Sequence, residues 1–197
     1  MSYVFYDVET SGLCPRFDQI LEFAAIRTDE NLIELDRFVG RCRLQRHILP
    51  SPEALLITRT SIDACTDQTL PSHYELMCEV HSRLEAWSPA CFVGWNSIKF
   101  DEEFLRHALY TSIHYPYLTS ANGNARFDLM RLAFVAAKLQ PDCLSPALKP
   151  DGQRSFKLDD LAAANGFATH RPHEALSDVE ATLFLARLIA EGAPELW

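Results

Sequence analysis

The stretch VFYDVE at residues 4–9 is rich in β-branched and aromatic residues and carries apolar side chains at both parities. That pattern suits a strand buried on both faces, at the centre of a sheet. ILEFAAIRT (20–28) and IELDRFVGRCRL (33–44) follow, parted by the turn-like DEN at 29–31. Three strands joined by short connections predict an antiparallel meander. Further along, CFVGW (91–95) reads as a short buried strand.

Helical spacing appears only after the meander. HYELMCEVHSRLEAW (73–87) places Leu76, Val80, Leu84 and Trp87 on one face. Helices are also predicted over 102–110, over 128–140 up to Pro141, over 157–166 with Gly166 closing it, and over about 174–191. The segment 45–70, broken by Pro50 and Pro52, reads as irregular, and 142–155 as a polar connection. Strands followed by alternating helices and strands define an α/β fold with a mixed sheet. No repeat or linker divides residues 1–197, so a single domain is expected.

Composition narrows the function classes. The chain has 197 residues, 48% of them hydrophobic, ordinary for a globular protein. No apolar run approaches the roughly 20 residues that span a bilayer, and MSYVFYDVET lacks the pattern of a secretory signal. A cytoplasmic location is the expectation. Cys14, Cys42, Cys65, Cys78, Cys91 and Cys143 form no C-x-x-C pair, which argues for reduced thiols and against a zinc site. The formal charge of −9 disfavours a polyanionic partner, unless some of the acids gather to hold cations that reverse the local charge.

The positions of the acids therefore carry more information than their number. Asp7 and Glu9 lie two apart on the first strand, so both carboxylates project from one face. Together they repel, and a divalent cation between them removes the penalty; a strand end reaching solvent is the plainer account. Gly12 follows, where a backbone without a Cβ can approach a ligand. Asp101, in GWNSIKFDEEFLRHAL (94–109), stands where a strand gives way to a helix. It suits N-capping and equally a site at the carboxyl end of a strand. His173 and Asp178 lie five residues apart, some 140° round an ideal helix. His173, just after Pro172, is thus expected at the loop-to-helix boundary, with Asp178 inside the helix facing the sheet.

Taken in order, D-x-E on strand one, N-x-x-x-F-D before a helix and H-x-x-x-x-D opening the last helix resemble the three motifs of the DEDDh exonuclease superfamily. Within it the chain most resembles the catalytic domain of bacterial exonuclease I, through FAAIRTD (23–29), LPSPEALLITRTS (49–61), GWNSIKFDEEFLRHALY (94–110), SFKLDDLAAANG (155–166) and HEALSDVEAT (173–182). The resemblance covers nearly the whole chain. It implies an RNase H-like fold, a mixed five-stranded sheet flanked by α-helices. It also implies 3′→5′ hydrolysis of single-stranded DNA to nucleoside 5′-monophosphates, using two Mg²⁺ or Mn²⁺ ions. Asp7 would bridge the two ions, Glu9 and Asp178 complete one site, and Asp101 support the other; His173 would be the general base. Thr10, Gly12, Leu13, Leu56, Ile57, Thr58, Asn96 and Phe100 would meet the 3′ end, with Leu13 and Ile57 against the terminal bases. Arg41, Arg43, Arg46, Arg126, Arg154 and Lys157 are candidate phosphate contacts. Short RNA is the alternative substrate, and a non-catalytic nucleic-acid-binding module or a hydrolase of small phosphate esters are the competing classes. Oligomeric state stays open.

Overall fold

The computed structural model describes residues 2–167 and 173–197. Its sheet has the order β3-β2-β1-β4-β5. β1 is Ser2–Thr10, β2 Ile20–Thr28, β3 Glu34–Arg41, β4 Ala90–Gly94 and β5 Ala125–Asp128. The meander β1-β2-β3 is antiparallel, whereas β4 and β5 add in parallel on the other edge of β1. VFYDVE thus sits in the middle strand, as its two-faced apolar pattern predicts. β5 has no counterpart in the sequence reading. It is four residues long, its first two are exposed, and it runs directly into a helix, so it shows no usable alternation.

Helices cover both faces. α3 (His73–Trp87) and α4 (Asp101–Thr111) lie on one side, packed on Val4, Tyr6, Phe23, Ala25 and Phe92. α5 (Leu129–Leu139), α6 (Leu158–Ala164) and α7 (Ala175–Gly192) cover the other, against Phe5, Ala24, Ile26 and Val93. Because side chains alternate across a strand, Asp7 and Glu9 share the face of Phe5. That is the face covered by α7.

The expected helices appear within one or two residues of their predicted limits. α3 opens with a capping box, Ser72 and Glu75 satisfying each other's backbone amides. The segment 45–70 corrects the sequence reading. It holds α1 (Pro52–Thr58), with proline in its first turn, and the four-residue α2 (Ile62–Cys65). α1 buries no residue, and its apolar residues are consecutive instead of spaced by turns, so periodicity could not find it. Its C-cap Arg59 turns left-handed at φ 54 and ends it. A two-stranded ribbon, β6 (Ala147–Leu148) with β7 (Arg154–Ser155), occupies the stretch read as a connection.

All six cysteines are unpaired, and burial pushes the Cys42 thiol up to about 12. Among the described residues no helix is long and apolar enough to cross a membrane.

Candidate active site

β1 outlasts its parallel neighbour. The β1–β4 ladder ends at the pair Phe5 and Val93, so the far half of β1 has an unpaired edge on that side. The chain leaves β4 through Trp95 and Asn96. Asn96 adopts a left-handed φ of 57 and donates its amide to the Asp128 carboxylate at 3.0 Å. Asp101 then starts α4 and its Oδ1 accepts the Val8 amide at 3.2 Å. Phe100 holds the N-cap position and Asp101 is the first residue of α4. Asp101 therefore does not cap α4 but ties that helix to the open edge of β1.

On the opposite side α7 brings Asp178, and His173 stands outside the helix at φ 65. The backbone amide of His173 donates to Asp178 Oδ2 at 3.3 Å. Ligand atoms of Glu9, His173 and Asp178 lie within 4.8 Å of one another. Asp7 and Asp101 line the same pocket, a cleft of about 290 Å³. All five residues expected to do chemistry thus converge, although they come from β1, α4 and the entry to α7.

The remaining walls match the sequence reading, with one exception. Thr10, Gly12, Leu13, Ile57, Thr58, Asn96 and Phe100 line the pocket. Leu56 does not; it is 79% exposed. One residue is 100° on a helix, so presenting Ile57 and Thr58 to the cleft turns Leu56 to solvent. Trp95 and Ala54 complete the wall, and neither was visible in the sequence. Trp95 is fixed by donating its indole N–H to the Phe156 carbonyl at 3.1 Å. The loop after β1 is held by Asp18, which accepts from the Ser11 hydroxyl and the Cys14 amide. It meets α1 where the Ser51 amide donates to the Ser11 carbonyl at 2.7 Å.

Electrostatics mark the cleft as a cation site. Burial first, then Asp101, Asp178, Glu9 and Glu22, push the Asp7 carboxyl well above the ordinary range. Burial, Asp178 and Glu22 push Glu9 up to about 8. Asp101 reaches about 7, burial outweighing the amides that favour its charged form. Charging carboxylates crowded into one half-buried cleft is costly, and a bound cation would offset that cost. Oxygen donors suit hard divalent ions. The donor set therefore fits Mg²⁺ or Mn²⁺.

The sequence reading missed Glu22. It faces Glu9 directly across the β1–β2 ladder, is buried, and pairs with Arg41 at 2.7 Å. A second small cavity, shared by Glu9, Glu22, Arg41 and His173, opens behind the site. Most of the candidate phosphate contacts are engaged elsewhere. Arg41 holds Glu22, Arg43 donates to the Leu70 carbonyl, Arg126 pairs with Glu102 at 3.1 Å, and Arg154 donates to the Ala137 carbonyl. Arg46 and Lys157 are exposed and line none of these cavities.

A mixed five-stranded sheet whose central strand carries two carboxylates toward a third and a fourth from flanking helices is an RNase H-like frame with an acidic cleft at its centre. Residues 4–185 match the exonuclease family RNase_T, and the chain belongs to that family. It is 33% identical over its full length to exodeoxyribonuclease I of Haemophilus influenzae, covering 41% of that protein. Identity to the Escherichia coli exodeoxyribonuclease I is 32%, again over 41% of it. Among solved structures, E. coli exonuclease I in complex with a dA16 oligonucleotide aligns with a TM-score of 0.91 at 30% identity, over 99% of this chain and 42% of that one. The moderately thermophilic exonuclease I from Methylocaldum szegediense aligns with a TM-score of 0.90 at 34% identity, over 99% and 41%. The chain spans about two fifths of the length of these relatives. Exonucleases of this family depend on divalent metal ions.

Proposed function

We propose that this chain hydrolyses single-stranded DNA from its 3′ end and releases nucleoside 5′-monophosphates. The observation that carries the reading is the convergence of Asp7, Glu9, Asp101, His173 and Asp178 in one cleft floored by the central strand. Its relatives' names support DNA as the substrate, and solved relatives hold dA16 and dT13 oligonucleotides.

Asp7, Glu9, Asp101 and Asp178 would hold two Mg²⁺ or Mn²⁺ ions. Such ions neutralise a scissile phosphate, lower the pKa of water and stabilise a leaving oxygen. The protein's own residues supply the rest. His173 takes the proton of the attacking water on an imidazole nitrogen. Its place beside Glu9 and Asp178 puts that base next to the ion site. Thr10, Gly12 and Leu13 form one lip and Ile57 with Thr58 the other. Leu13, 79% exposed, and Ile57, 45% exposed, offer apolar surface for the terminal bases, with Phe100 and Trp95 behind them. A cleft of about 290 Å³ is at the small end of ligand pockets, roughly 300–1,000 Å³. That size suits a strand end.

The test compares 5′-labelled DNA and RNA oligomers of one sequence in Mg²⁺ and in EDTA. A DNA ladder shortening from the 3′ end, abolished by EDTA, is expected. Internal cuts would overturn the exonuclease reading, and faster loss of the RNA would move the substrate to RNA.

A further inference from the structure

Three charged side chains form a row across the sheet. Glu9 on β1 stands opposite Glu22 on β2, and Glu22 stands opposite Arg41 on β3. Side chains paired this way share a face, with Cβ atoms about 4.5–5.5 Å apart. The Glu22 side chain is 9% exposed, and its Oε2 accepts from Arg41 Nε at 2.7 Å. Among the described residues Oε1 has no hydrogen bond. Arg41 is 59% exposed, and an ion pair with one partner so open adds little stability. One more buried carboxylate beside Asp7, Glu9, Asp101 and Asp178 costs more than an apolar residue there would. Packing alone thus gives no reason for an acid at this position.

The cavity of about 260 Å³ behind the site brings Glu22 and His173 to one space. Ligand atoms of Glu9 and His173 lie within 4.8 Å of each other, and Glu22 is the carboxylate next to Glu9 across the ladder. Burial raises the Glu22 carboxyl, Arg41 opposes this, and Glu174 and Asp178 at the entry to α7 raise it further. The side chain is therefore within reach of charges on both sides of His173 in the chain. Two other acids line the cavity. Glu9 belongs to the ion site, and Asp67 accepts from the Thr69 amide and hydroxyl at 2.8 Å.

A neutral imidazole carries one N–H and one lone pair, and a general base must turn the lone pair toward the water. Which nitrogen keeps the proton is decided by the bond that the other one makes. We infer that Glu22 is the positioning residue for His173: Arg41 holds Oε2, Oε1 accepts the imidazole N–H, and the second ring nitrogen faces the cleft with its lone pair. This inference rests on the proposed activity, in which His173 takes the proton of the attacking water. The water oxygen bonds to phosphorus, and the bond from phosphorus to the 3′-oxygen of the shortened strand breaks. The water proton rests on His173 until solvent removes it, and the freed 3′-oxygen takes one from solvent. Glu22 takes none; its charge fixes the tautomer and steadies the imidazolium.

The test uses the intact chain with Glu22→Leu, Glu22→Gln, His173→Asn, and Glu22→Leu combined with His173→Asn. Glu22→Leu leaves only the exposed Arg41 unpaired, and circular dichroism checks that it folds. On dT8 in Mg²⁺ it should lower kcat about 10- to 100-fold, the scale seen when a histidine at a metal site loses the group that orients it, with KM little changed. Glu22→Gln keeps an acceptor oxygen and should recover most of that loss. The double variant should be no slower than His173→Asn alone, because nothing is left to position; a merely structural role would multiply the two losses. A readout without turnover is ¹⁵N NMR of the histidine-labelled chain in EDTA at about pH 8, above the ordinary histidine range. The His173 ring, identified by its loss in His173→Asn, should hold one tautomer in the parent and a mixture in Glu22→Leu. Parental kcat in Glu22→Leu, multiplied losses in the double variant, or an unchanged tautomer would each overturn the inference. If the parent cleaves no oligomer yet the tautomer shifts, the hydrolytic reading fails and the Glu22–His173 contact stands.

Discussion

Asp101 accepts the Val8 amide at 3.2 Å, and that bond ties α4 to the stretch of β1 left open where β4 ends. The carboxylate is thus both a metal-site candidate and a structural acceptor. The two duties separate by substitution. Asp101→Asn keeps an oxygen for Val8 and removes a charge from the crowded cleft; it should fold at least as stably as the parent and lose activity. Asp101→Ala orphans the buried amide and should cost about 1–3 kcal/mol. Urea unfolding of the two variants measures the difference; equal stability would dissolve the link.

His173 should be separable from binding. His173→Ala should hold an oligonucleotide nearly as well as the parent while turnover falls roughly a hundred- to ten-thousand-fold, the usual worth of a general base. Its left-handed backbone, φ 65, makes Asn the gentler replacement, since Asn tolerates that region. His173→Asn should therefore be equally inactive and better folded. Near-normal turnover at saturating Mg²⁺ in either variant would remove His173 from the chemistry.

The carboxylate cluster should set the protein against alkali when ions are withheld. Glu9 is pushed up to about 8 and Asp101 to about 7, and Asp7 moves the same way. Between their ordinary and raised values the folded chain binds more protons than the unfolded one. Stability from these groups is thus full below the ordinary carboxylate range and lost as pH climbs through the raised values. In EDTA the Tm should fall as pH rises from the ordinary carboxylate range to about 8. Mg²⁺ at a hundredfold over its Kd should restore about 2.7 kcal/mol. Glu9→Gln should flatten the EDTA profile, and a Tm that is flat in the parent would refute the crowding.

Gly12 offers a test of the lip. A Cβ there would strike the Asp18 carboxylate, which accepts from the Ser11 hydroxyl at 3.1 Å and the Cys14 amide at 2.9 Å. Gly12→Ala should displace the loop that carries Leu13, raising KM for short oligomers while the Mg²⁺ dependence of thermal stability stays at the parental value. A loss of the Mg²⁺ effect would place Gly12 in the ion site instead.

The parts of the fold legible in the sequence were those with strong periodicity. The central strand and meander announced themselves through continuous apolar runs, and α3 through a one-sided stripe. β5 and α1 did not, because one is four residues long and the other buries none of its side chains. Within the site, Asp7 and Glu9 could be placed on one face from strand geometry alone. Their meeting with Asp101, His173 and Asp178 could not, since it depends on crossings between elements far apart in the chain; only the order of the motifs foretold it. Glu22 was invisible for a similar reason. Its significance lies in a cross-strand pairing with Glu9, and no local pattern states a register. Leu56 shows another limit: the sequence points to its segment but does not state which of its residues line the cleft.

β1 is paired to β2 from Tyr3 to Thr10 and to β4 over its first half, and Asp101 takes the Val8 amide beyond that. The carboxylates it carries are therefore anchored in the sheet, whereas the lips of the cleft, residues 11–18 and α1, lie outside it and are held by a few polar bonds. Catalytic frame and substrate gauge are thus separate modules. A substitution in either short surface segment can therefore change what the cleft admits without disturbing the strand that carries Asp7 and Glu9.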